Sequence, residues 1–357
     1  MQFKVIVKSL LLTYLCSSAY AAPAKDNCKE IKDYLTGNKA SSLVACNNNS
    51  NGEVSELKLS NVDNLLTNED IKKILSYNTI KKFDFNEEQT DCAILNNGIS
   101  NLKSLEELNI KTFRGGIAPN VLKDLKSLKS LTYDAGDYNY GELTQENIND
   151  LSTLSNLEKL KLAYVSVDES LNFSPLNGLK VSSLTLETNG KAGINLKGLV
   201  NNLKNLKELT ISSFVPSQEE VDVITSSNIE KLTIELDEDI KTDNFKNLKN
   251  LTSLDLTMEG VKEVPGFVNS LPNLKSAKFN GKEVSLKNGN GGNVATAANG
   301  ENSVNGVNGA TYGNADNGNA TNSATANGAP IDTTSDAKTL FIRSISYLPL
   351  IVLYLIF

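Results

Sequence analysis

The sequence predicts an α/β solenoid: a curved parallel sheet of about ten short strands, joined by irregular or short helical returns, with a disordered stalk after it. Two observations carry this reading. The pattern apolar-x-x-apolar-x-apolar recurs ten times between Val54 and Phe279. Successive starts lie 22–26 residues apart, except for one interval of 29. One such unit cannot bury its apolar face alone, and stacking ten of them makes a continuous core.

The units open with Val54-Leu57-Leu59, Ile80-Phe83-Phe85, Leu105-Leu108-Ile110, Leu128-Leu131-Tyr133 and Leu157-Leu160-Leu162. They continue with Val181-Leu184-Leu186, Leu206-Leu209-Ile211, Ile229-Leu232-Ile234, Leu251-Leu254-Leu256 and Leu274-Ala277-Phe279. The last two apolar positions of each unit share one face of a strand, because strand side chains alternate with period two. Helical returns are expected over Ala118–Leu125, Gln145–Leu154 and Glu219–Thr225. At roughly 4.8 Å per strand, ten strands span an arc on the order of 45 Å.

The phrases NLKSLEELNI (101–110), NLKNLKELTI (202–211) and NLKNLTSLDL (247–256) give the chain its closest likeness. Over residues 28–287 it resembles secreted leucine-rich-repeat proteins. The family places Asn or Cys three residues past the last strand apolar position; here Val62, Phe113, Val165, Phe214 and Glu259 stand there. Residues 22–53 read as the N-terminal cap and 54–287 as the repeat domain. The segment Cys28 to Cys46, with a short helix at Lys29–Leu35, resembles the family's cysteine-flanked cap, without its usual Trp. That resemblance implies a Cys28–Cys46 disulfide and leaves Cys92 as a buried thiol. At the other end, Phe279-Asn280-Gly281-Lys282 followed by Val284 and Leu286 reads as a hairpin covering the last strand.

Both ends read as addresses. Residues 1–21 carry Lys4 and Lys8, a short apolar core and Ala19-Tyr20-Ala21, the pattern of a cleaved secretory signal. Residues 288–327 hold twelve Asn and eight Gly with no Lys or Arg, too polar to bury a core, and read as the stalk. Residues 328–357 read as an attachment propeptide. Small residues Asn327-Gly328-Ala329, a polar spacer and the apolar tail Leu340–Phe357 match the signal for a glycosylphosphatidylinositol anchor. Asn327 is the expected attachment residue, with Ser335 second; a tail-anchored single span is the alternative. Sequons for N-glycosylation stand at Asn48, Asn172, Asn250 and Asn319, the one at Asn172 weakened by Pro175.

Composition excludes most chemistry. The 357 residues contain no His, which removes Ser-His-Asp and Cys-His hydrolysis and any Cys/His zinc site. No catalytic residue, cofactor or resident metal is expected. Asp237, Glu238 and Asp239 form an acidic trio without the alternating spacing of a calcium loop, better read as an exposed charge run. A net charge of −7 argues against nucleic acid as a partner. The partners expected are a protein or glycan ligand and a membrane reached through the lipid anchor.

Two outward columns line the sheet: one runs from Glu56 to Ser276 through Lys159 and Lys231, the other from Lys58 to Lys278 through Lys161. Neither contains an aromatic residue. Lys159, Lys161 and Lys231 are therefore the candidate contacts on the face, and Tyr138 and Tyr140, in the longest repeat, are candidates on a loop. The anchor and repeats together resemble fungal-type surface and wall proteins. They imply a non-enzymatic recognition or adhesion protein, or else a coat protein without a specific ligand.

Overall fold

A computed structural model describes residues 25–87, 92–112, 116–136, 141–188 and 194–286. Ten strands follow the ten repeats: β2 (Val54–Ser60), β3 (Lys82–Glu87), β4 (Glu107–Thr112), β5 (Ser130–Asp134), β7 (Lys159–Ala163), β9 (Ser183–Glu187), β10 (Glu208–Ser212), β11 (Lys231–Leu236), β12 (Ser253–Met258) and β13 (Ser276–Phe279). They lie side by side in sequence order, all parallel. Their register has no stagger. Leu57 pairs with Phe83, Phe83 with Leu108, and the same column continues through Leu131, Leu160, Leu184, Leu209, Leu232 and Leu254 to Ala277. That column and the one two residues on are buried throughout, while the residues between them face solvent. Tyr133 sits in the second column and is fully buried.

The returns close the core from behind. Helices α1 (Asn27–Tyr34), α2 (Asn68–Ile74), α3 (Gln145–Ser152), α4 (Leu196–Asn202) and α5 (Gln218–Thr225) alternate with turns of 3-10 helix. Three helices start at reciprocal capping boxes, Thr67 with Asp70, Thr144 with Asn147, and Ser217 with Glu220. The helix expected over Ala118–Leu125 is absent, and turns take its place. Pro119 is followed by Asn120 at φ 71, a left-handed residue that interrupts any helical path, and its N–H donates to Asp150 Oδ2 at 2.7 Å. Val121, Leu122 and Leu125 are buried all the same.

The long repeat uses its extra residues for a second, two-stranded parallel sheet, β6 (Gly141–Leu143) with β8 (Val165–Val167). Both ends of the main sheet are capped by antiparallel strands. β1 (Leu43–Asn48), absent from the sequence expectation, pairs with β2, and Cys28 is joined to Cys46 by a disulfide with a Cα–Cα distance of 5.6 Å. Cys92 is fully buried. β14 (Lys282–Glu283) returns on β13 through Asn280 at φ 47 and Gly281 at φ 76, the two positive values a tight primed hairpin turn requires. The Asn280 amide then closes the end of the core, accepting from Met258 N–H at 2.8 Å and donating to the Met258 and Val261 carbonyls.

Inter-repeat polar bonding runs along a different line from the family's ladder. The residue just before the first apolar position of a unit reaches back to a carbonyl of the previous repeat. Ser127 Oγ donates to Lys103 O at 2.6 Å, Asn156 to Lys126 O at 2.9 Å, Asn205 to Leu179 O at 2.7 Å and Asn273 to Lys249 O at 2.8 Å. Each bond satisfies a turn carbonyl and fixes one return against the next.

Candidate recognition surface

The outer face of the ten-strand sheet is a polar lattice whose charges answer one another across strands. Lys82 meets Glu107 at 3.2 Å, Lys111 meets Asp134 at 3.4 Å, and Asn109 donates to Asp84 at 2.5 Å. Further along, Lys161 meets Glu187 at 2.7 Å and Lys231 meets Glu208 at 2.5 Å. Lys231 donates to the Glu208 carboxylate, and that bond raises the Lys231 pKa. These pairs are solvent-exposed, and each adds little to stability. Their main effect is to leave the lattice nearly neutral.

Lys159 and Lys161 share β7, while Lys231 lies three strands away on β11, about 14 Å along the sheet at the usual strand spacing. The three candidates therefore form no single basic cluster. Lys159 stands between Ser130 and Ser183 in register, is exposed, and makes no ion pair among the described residues. Tyr138 and Tyr140 lie outside the described residues. β5, the neighbour of β7, ends at Asp134 just before that segment, and β6 opens at Gly141 directly after it.

One aromatic group near the face went unread in the sequence. Tyr164 follows β7 with φ 56, a left-handed conformation costly for a bulky side chain. Its hydroxyl donates to Glu187 Oε1 at 3.4 Å, the carboxylate that also meets Lys161. Residue type gave no cue in the sequence; in the structure Ser213 occupies the same offset after β10 and is also left-handed, at φ 62.

The remaining candidates lie elsewhere. Asn48 ends β1; its Oδ1 accepts from Cys28 N–H and its Nδ2 donates to Asp26. Asn172 and Asn250 are exposed on the return side. Asn172 borders a polar cleft of about 640 Å³ that Asn195, Lys197 and Glu219 also line. Asn319, Asn327, Ser335 and the apolar tail lie outside the described residues. Asp237, Glu238 and Asp239 are exposed, and among the described residues no group of three or more Cys, Asp or Glu is gathered to hold a metal ion. No helix of the described residues is long and apolar enough to cross a membrane.

Ten parallel strands in register, with two buried apolar positions each and turn-rich returns, make this an α/β leucine-rich-repeat solenoid. No protein-family model matches the chain, and no curated protein matches it. Among solved structures, a leucine-rich-repeat protein of Leptospira interrogans is 22% identical with a TM-score of 0.38, over 58% of this chain and 50% of that one. Internalin C2 of Listeria monocytogenes is 18% identical with a TM-score of 0.35, over 51% and 74%. Toll of Drosophila, solved in complex with Spätzle, is 16% identical with a TM-score of 0.45, over 63% and 30%. The chain thus spans half the length of the Leptospira protein and under a third of Toll.

Proposed function

We propose that this chain is a non-enzymatic cell-surface protein whose repeat arc recognises a protein or glycan ligand. A glycosylphosphatidylinositol lipid at Asn327, or at Ser335, holds it to the outer membrane face, or it passes on to a cell wall. The observation carrying the reading is the continuous polar face of the ten-strand sheet, broad enough for a macromolecule. Its centre at β5, β7 and β9 combines the unpaired Lys159 with the strained Tyr164. The sequons at Asn48, Asn172 and Asn250 all lie off the outward columns, so sugar at those positions leaves the sheet open. A coat protein without a specific ligand is the second reading. It is favoured by the lateral ion pairing, which satisfies most charges of the face internally.

Lys159→Glu is the cleanest test, because it breaks no ion pair. Its melting temperature should match the parent, since exposed substitutions usually shift stability by under about 0.5 kcal/mol. Lys161→Glu and Lys231→Glu face Glu187 and Glu208, and like charges across strands should cost each roughly 0.2–1 kcal/mol. In glycan-array and cell-surface protein binding, Lys159→Glu and Tyr164→Ala should weaken capture. Capture that survives both but disappears on deleting residues 137–141 moves the site to the tyrosine loop. Absence of any saturable capture leaves the coat reading. Separately, phosphatidylinositol-specific phospholipase C should release the protein from intact cells without Leu340–Phe357. Recovery of the intact C-terminal peptide on cells removes the anchor from the proposal.

A further inference from the structure

The N-terminal cap touches the first return through a small set of polar bonds converging on one buried carboxylate. Asp70, in the first turn of α2, is 3% exposed. Its Oδ1 accepts from the Tyr34 hydroxyl at 3.0 Å, at the end of α1, and its Oδ2 from Lys39 Nζ at 2.7 Å, in the turn that follows. The same Oδ2 accepts from Thr67 N–H and Oγ1, both at 2.7 Å, which closes the cap of α2 itself. A second bond between the two parts lies nearby, from the Tyr77 hydroxyl to Glu30 Oε2 at 2.9 Å. The cap is also held without carboxylates: Ile31 and Leu35 are buried in the core and β1 pairs with β2, while the Cys28–Cys46 bridge ties α1 to β1 inside the cap.

We propose that Asp70 is an acid-sensitive latch: its protonation releases Tyr34 and Lys39 and frees residues 27–42 from the solenoid, while the bridge and β1 keep them tethered. A neutral carboxyl can no longer form an ion pair with Lys39, and a proton on Oδ2 competes with the three donors that share that oxygen. Ile31 and Leu35, carried by this segment, are both 1% exposed and belong to the continuous core, so opening exposes a new apolar surface at the N-terminal end of the arc.

The pH window follows from the charges around the group. Burial alone would raise the Asp70 pKa, but the bonds from Lys39, Thr67 and Tyr34 outweigh it and hold the carboxyl down at about 2, against an ordinary 3.8. The Tyr34 hydroxyl is itself held up by burial first, then by its bond to Asp70 and the Asp70 charge, with Glu69 as the further acidic neighbour. A lowered carboxyl pKa stabilises the closed state fully above about pH 4 and progressively less as pH falls toward 2. Closing should therefore weaken by about sevenfold between pH 6 and pH 3.

Hydrogen exchange by mass spectrometry, corrected for intrinsic rates, tests this on the full chain. Residues 27–42 should lose protection between pH 6 and pH 3 while residues 231–258 hold theirs. Asp70→Asn should show the open cap already at pH 6 and lose the pH response. Lys39→Met removes the strongest pull on the carboxyl and should shift the opening midpoint to higher pH. Uniform protection loss along the chain, or an unmoved midpoint in Lys39→Met, overturns the latch.

Discussion

Replacing Phe245 with Ala is expected to cost about 3–5 kcal/mol, among the largest losses available to a single substitution here. Phe245 is fully buried in the 3-10 turn Asp243–Asn247 behind β12, and its ring lies 4.7 Å from that of Phe267 in the next return. The cavity would sit between two repeats, each already fixed by its strand register, so neither can close in to fill it. The aromatic pair itself adds roughly 0.5–1.5 kcal/mol beyond its buried area. Phe245→Leu keeps most of the volume and should cost much less. Because repeats contact only their neighbours, exchange protection should fall first over residues 231–286. Denaturant melts settle the matter: a loss under about 1 kcal/mol for Phe245→Ala would mean that the returns repack freely.

The elements that the sequence revealed and those it hid differ in how many side chains they bury. Every repeat strand was legible because two adjacent inward positions are apolar in each unit, and ten repetitions average out any single departure such as Ala277. β1 was hidden because Leu43–Asn48 buries no side chain fully; it is held by backbone pairing to β2 and by the bridge, neither of which leaves an alternating pattern. β6 and β8 are three residues long, too short for periodicity to register. The Ala118–Leu125 return carries helical apolar spacing, yet Pro119 and the left-handed Asn120 decide its path. On the outward face, Lys231 had a readable partner: Glu208 occupies the same column one unit earlier, and adjacent strands place the two side by side. Lys161 pairs diagonally with Glu187, outside its own column, and that geometry depends on side-chain reach rather than on spacing.

Loss of the Cys28–Cys46 bridge should destabilise the cap by roughly 2–4 kcal/mol, the range expected when a short loop is no longer closed in the unfolded chain. The bridge spans 18 residues and ties α1, which buries Ile31, to β1, which buries no side chain fully. Cys28→Ser, Cys46→Ser and the double variant should lose the same amount, because either single change already removes the whole constraint. Treating the parent with reductant should reproduce that loss. Cys92→Ala should leave the bridge in place, since Cys92 is fully buried behind the second repeat and takes no part in the Cys28–Cys46 bond. The bridge and the Asp70 latch act on the same segment by different means, so the losses should couple. With the bridge cut, acid opening of residues 27–42 should pass into unfolding of the first repeat, whereas the bridged cap opens and recloses. Peptide mapping that joins Cys46 to Cys92, or single variants whose losses differ by more than about 1 kcal/mol, would remove the bridge from this role.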